Sequence, residues 1–169
     1  MEPAPRYRPL RALPAYAYVP GRSERPAVDL EPAASEADYL PAERWAEHGE
    51  YLWGADLYNA GFFWEAHEAW EGAWRAAEHD LVQHAYLQGL IQCAAACLKG
   101  VLADTDSARR IAARALDRLE GIQMLPTQAA RDYMGLDLAR FCAAFRSFIA
   151  RDPTDVAARP LLILSSRRA

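Results

Sequence analysis

Cysteine is scarce: Cys93, Cys97 and Cys142 are the three in 169 residues. Cys93 and Cys97 stand four apart in a helical pattern, a spacing that does not favour a disulfide, and Cys142 is isolated. Reduced thiols and a cytoplasmic location are therefore expected, with the thiols acting as small buried hydrophobes. The nine glycines are scattered at helix ends and packing seams, so no glycine-rich phosphate loop is present. The serines sit in an arm, at a cap, in a helix or in the tail, none in the setting of a nucleophile elbow. A net charge of −4 gives no electrostatic reason to expect nucleic acid. Long apolar runs are also missing. The most apolar window, 85–103, is interrupted by Gln88, Gln92 and Lys99, whereas a membrane span needs about 20 nearly unbroken apolar residues. No membrane contact is expected, and the window suits a central helix of a soluble bundle. The first residues lead into a proline-punctuated stretch, so no secretory signal is expected, and no internal repeat is evident.

What is present is apolar and aromatic. Hydrophobic residues make up 52% of the chain, with five tryptophans, enough for one domain with one sizeable core. Eight of the eleven prolines fall at or before Pro41, which forbids helix over most of 1–41. Tyr7, Leu10, Leu13, Tyr16, Tyr18 and Val19 give that arm apolar anchors, and Pro20-Gly21 is a turn signal. An extended arm laid on the body is predicted, with an acidic, alanine-rich linker at 28–38. A helical domain follows over 42–152, then an extended tail over 153–169. Within the tail, Pro160-Leu-Leu-Ile-Leu164 reads as a strand or extended segment that could pair with the arm.

The fold class is all-α, a single-domain bundle of about five helices. The first is expected from 42 to about 58, with Trp45, Leu52, Ala55 and Tyr58 inward and Gly61 as its stop. The second runs through Phe62, Phe63, Ala66, Trp70, Ala73, Trp74 and Ala77. The third covers 81–103 behind an Asp80 cap, with Gly89, Cys93, Ala96 and Gly100 as a stripe of small residues that allows close approach of another helix. Thr105 or Asp106 should cap the fourth, ended by Gly121, and the fifth should run from about 136 to 151.

The second helix carries its ionisable groups in one stripe of Glu65, His67, Glu68, Glu71 and Arg75 beside its apolar arc. On the third, His84, Gln88, Gln92 and Lys99 share an arc. A buried amide without a partner costs roughly 1–3 kcal/mol, so the stripe of one helix is expected to face the glutamines of the next. The polar centre so defined is Glu65, His67, Glu68, Glu71, Arg75, His84, Gln88 and Gln92. His48 and His79 are expected to face solvent, and Trp64, Trp70 and Trp74 to be core.

The run Asn59-x-Gly61-x-Phe63-x-Glu65-x-His67-Glu68-x-x-Glu71-x-x-Trp74-Arg75, followed by Leu87-Gln-Gly-Leu-Ile-Gln92-x-Ala-Ala-Ala96, resembles the bacterial and archaeal family called domain of unknown function 309. Gly135-Leu-Asp137-Leu is similar to that family's pattern too. The resemblance implies a small all-helical domain whose acidic, histidine and glutamine positions form a shared polar centre. It implies no settled activity, although the family has been labelled a metal-dependent hydrolase.

Two functions from different classes follow. In one, the polar centre is a buried network that fixes helix register in a non-catalytic domain binding a small-molecule ligand, a protein partner or a second copy of itself. In the other, His67-Glu68-Ala-Trp-Glu71 works as a departure from the zinc-protease pattern, with Glu71 where a second histidine would stand. His67 and Glu71 would then hold a divalent metal harder than zinc, and Glu68 would be the catalytic base. Aromatic content makes a homodimer plausible.

Overall fold

The computed structural model describes residues 3–26, 38–126 and 132–165. The most enclosed element is α1 (Gly49–Asn59), in which every residue from Tyr51 to Asn59 is buried. Its sequence, Tyr-Leu-Trp-Gly-Ala-Asp-Leu-Tyr-Asn, is apolar apart from Asp56 and Asn59, and a helix apolar on nearly every side is a buried helix. Ala60 closes it and Gly61 follows at φ 88°, the left-handed geometry that glycine adopts without a steric cost.

On α1 packs α2 (Phe63–Ala76), with Phe63, Ala66, Trp70 and Ala73 turned inward. The two helices meet where the Trp70 indole covers Gly54. A Cβ at Gly54 would lie 2.2 Å from the indole nitrogen, which donates to the Tyr51 carbonyl at 3.1 Å. Asp80 caps α3 (Leu81–Val101) through the Gln83 amide. The small-residue stripe of α3 admits a neighbouring helix at Gly89, as expected, and a loop carbonyl in place of a helix at Gly100. Gly89 admits Leu119 of α4 (Thr105–Gln123), and Gly100 admits the Pro153 carbonyl, where a Cβ would come within 2.0 Å. A hairpin of β1 (Asp132–Tyr133) and β2 (Leu136–Asp137) then leads into α5 (Leu138–Arg151). Each α-helix packs mainly on its sequence neighbours, and one continuous apolar core runs through the stack.

Several boundaries differ from those expected. The first helix does not run unbroken from 42. A 3-10 turn, Ala42–Glu47, comes first, and His48 restarts the chain as the α1 cap, buried rather than solvent-facing. Asp104, not Thr105 or Asp106, caps α4, which continues through Gly121 to Gln123. The 132–137 hairpin was not anticipated, and its turn places Met134 and Gly135 at positive φ. The linker expected at 28–38 lies outside the described residues except for Asp38.

The arm does lie extended on the body over 3–26, but the described part of the tail does not pair with its main chain. Leu164 instead bridges Leu136, and the Ser165 amide donates to the Gly135 carbonyl at 2.7 Å. Among the described residues, the hydrogen bonds between arm and tail run through one side chain. The Tyr7 hydroxyl donates to the Leu162 carbonyl at 3.0 Å and accepts from the Leu164 amide at 2.8 Å.

Candidate functional site

The α2 stripe stands at the surface and not in the middle of the molecule. Glu68 and Arg75 are exposed, and Glu65, His67 and Glu71 are half-buried. Neighbours on the same helix satisfy most of it: His67 Nε2 lies 3.6 Å from Glu71 Oε1, and Arg75 reaches Glu71 Oε2 at 3.3 Å. The arm takes the rest. Glu65 Oε1 accepts the Tyr18 backbone amide at 2.7 Å, and Arg25 pairs with Glu68 at 3.3 Å. Tyr18 meets the Trp64 ring edge-on at 5.1 Å between centroids, and the Arg25 guanidinium lies 5.9 Å from that ring's centre.

The amides of α3 do not answer this stripe. Gln92 accepts from Arg118 of α4 at 3.1 Å, Gln88 is half-buried, and His84 stacks on Trp74 at 4.6 Å. The expected meeting of the carboxylates of α2 with the glutamines of α3 is therefore corrected. Glutamines on a predominantly apolar helix can sit at the rim of a packed face, and an arginine on the next helix serves them there as well as a carboxylate would. Of the three tryptophans expected in the core, Trp70 is fully buried, while Trp64 and Trp74 are half-buried.

The buried polar network belongs to α1 instead. Asp56 is wholly enclosed, and its two oxygens accept the backbone amides of Tyr7 at 2.7 Å and Arg8 at 2.8 Å. Arg6 Nε lies 3.2 Å from the same carboxylate, close enough for charge pairing though not aligned as a hydrogen bond. One turn on, the Asn59 amide reads the tail in both directions, accepting from the Leu162 amide at 2.8 Å and donating to its carbonyl at 3.0 Å. Arg159 donates to the Tyr58 and Asn59 carbonyls at 2.9 and 2.6 Å, a cation on the last carbonyls of a helix. A signal for Asp56 and Asn59 was present, since they are the polar interruptions of an apolar helix. Arg159 had no such signal.

His67 and Glu71 supply two donors on consecutive turns, with one carboxylate oxygen already engaged by Arg75. Among the described residues no three His, Cys, Asp or Glu side chains come together to hold a metal ion. The residues present do not fit the metal centre expected from the motif. A separate open cleft of about 600 Å³ lies between α4 and α5, lined by Asp117, Glu120, Gln123, Met124, Cys142 and Arg146, and includes none of the stripe. Burial pushes the Cys142 thiol up to about 11, so it is no ready nucleophile.

Among the described residues, no helix is long and apolar enough to cross a membrane. The model of the family described as Domain of unknown function (DUF309) matches residues 51–111, from the start of the buried part of α1 into α4. That stretch carries the motif on which the resemblance was first drawn. No curated protein and no solved structure matches the chain.

Proposed function

We propose that the chain is a non-catalytic binding domain, with the outer side of α1 and α2 as its recognition face and a protein segment as its partner. The observation that carries this reading is how the carboxylates along α1 and α2 are used. Glu65 and Asp56 accept backbone amides of an extended segment, and Glu50 and Glu68 take its arginines. Carboxylates so engaged select an extended, basic peptide. They are not poised to activate water, and Glu68, the base of the hydrolase reading, is exposed and paired with Arg25.

Elemental analysis of untagged protein, with the Glu71→Ala variant beside it, tests the reading. The expected result is substoichiometric metal in both and a change in stability within about 0.5 kcal/mol, as for a surface substitution. Stoichiometric metal that is lost in the variant would overturn it in favour of the hydrolase, with His67 and Glu71 as ligands.

A further inference from the structure

The arm gives the recognition face a specific occupant. Residues 3–26 carry five arginines, Arg6, Arg8, Arg11, Arg22 and Arg25, and one acid, Glu24. They cross α1 and α2 over a row of four carboxylates. Arg6 pairs with Asp56, Arg11 with Glu50 at 2.9 Å, and Arg25 with Glu68. Aromatic faces support the same cations, with Arg11 stacked 4.4 Å over Trp53 and Arg25 near Trp64. No side chain of the described arm is fully buried, and only Tyr7 and Leu13 among its described residues pack partly buried against the core, so the arm is held largely from outside, as a ligand is held.

Two features separate this from an ordinary surface crossing. Asp56 has no exposure at all, and a carboxylate buried that deeply requires donors from whatever lies over it. The seating is also incomplete where Tyr18 crosses α2. Glu65 Oε2 and Trp64 Nε1 are buried there without hydrogen-bond partners. The groove is thus essential at one end and unsaturated at the other. The ion pairs to the arm are all made by carboxylates on α1 and α2, while Tyr7 also bonds the tail and Arg22 the Val101 carbonyl, and none of these contacts depends on the covalent link to residue 38.

We propose that the α1–α2 groove is a docking site for this same arm supplied by a second copy of the chain, with the arm in cis as a displaceable built-in competitor. This rests on the binding-domain reading above and names its partner. Symmetry makes the exchange reciprocal: a groove that accepts the arm in cis accepts it in trans, and two chains can each fill the other's groove. Tethering gives the cis arm an effective concentration on the order of millimolar, so exchange is weak in the native chain and grows when the cis contacts are loosened.

Two full-length variants test this by complementation. Arg6→Gln/Arg11→Gln/Arg25→Gln keeps the groove and weakens the arm. Glu50→Gln/Glu68→Gln keeps the arm and weakens the groove, and both substituted glutamates lie at or near the surface, so folding is retained. A fluorescent peptide of residues 3–26 should bind the first variant saturably, one per chain, and roughly tenfold or more tighter than it binds the native chain, where the cis arm competes. Added salt should weaken it. In sedimentation, an equimolar mixture of the two variants should show a dimer that neither shows alone. Peptide binding without the mixed dimer would overturn the assignment to a second copy. Absence of both, with helical circular dichroism retained, would overturn the docking groove. Neither result depends on the metal analysis, which tests the binding-domain reading separately.

Discussion

Replacing Asp56 by asparagine changes one atom in the most enclosed polar contact of the molecule and leaves volume almost unchanged, so no cavity term enters. The carboxylate accepts two backbone amides, one on each oxygen, at 2.7 and 2.8 Å. Asparagine has one acceptor, so one N–H of Tyr7 or Arg8 must then face the donor NH₂ group. Hydrogen bonds to a charged group contribute about 1.5–3 kcal/mol each. The Arg6 guanidinium, 3.2 Å away, also loses its counter-charge. A loss of about 3 kcal/mol follows, in the range for breaking one member of a buried charged pair. Urea unfolding should show a lower midpoint with the slope retained. Limited trypsin digestion should cut faster after Arg6 and Arg11, because the same carboxylate holds the arm down. A midpoint within about 0.5 kcal/mol of native, as for a surface change, would refute the reasoning. So would a full loss of stability with arm protection intact, which would mean that something other than Asp56 secures the arm.

Two glycines should respond to alanine with opposite signs. At Gly121, in the outer part of α4 with open space beyond it, alanine should stabilise by up to about 1 kcal/mol through helix propensity. At Gly54 the same gain is outweighed, because the new Cβ would sit 2.2 Å from Trp70, and a net loss of about 1–3 kcal/mol is expected from overpacking. Thermal melting of the pair checks the contrast, and like signs would refute the packing account. His48 should make stability depend on pH. Burial holds its imidazole below the usual range, and its Nδ1 accepts from the Tyr51 amide at 3.4 Å. The unfolded chain therefore binds the proton first. Stability should be fully present above about pH 6.5, the unfolded value, and fall as pH drops toward the lower folded value. His48→Asn keeps a cap acceptor that does not titrate, so its urea midpoint should fall less between pH 7 and pH 5. Equal slopes for the two proteins would remove His48 as the cause.

Periodicity and capping chemistry made the helices legible. Asp80 and Gly61 act locally, within a turn, and stand where the sequence predicts, while the small residues of α3 mark where Leu119 and the Pro153 carbonyl approach from far along the chain. The boundaries that moved are those where neighbouring residues offer equivalent chemistry. Asp104, Thr105 and Asp106 can all cap a helix, and choosing among them takes the path of the chain out of α3. The break at His48 was hidden because 42–58 contains no proline or central glycine run to mark it, and a histidine is an uncommon cap. The candidate site was less legible. The stripe on α2 was visible as a stripe, but which way it faces depends on which helices lie on either side. Once Trp70 is committed to α1 and Gly89 to α4, the carboxylates of α2 are left outward and Gln92 falls to Arg118.

Gln88 and Gln92 on α3 differ from Asp56 and Asn59 on α1 in depth. An amide at the rim of a helix bundle can turn to water or to an arginine, whereas a carboxylate and an amide inside a helix buried on every side must be met by chain from elsewhere. Here that chain comes from both ends, from Tyr7 and Arg8 in the arm and Leu162 in the tail, with the Tyr7 hydroxyl joining the two. Residues 51–111, which match the family, contain Asp56 and Asn59 but none of the segments that satisfy them. The matched stretch thus carries unmet polar groups on its most buried helix, and an extended segment must cover them. The arm and tail do so in this chain, which is why α1, more than the motif-bearing α2, is the element that fixes where both segments lie.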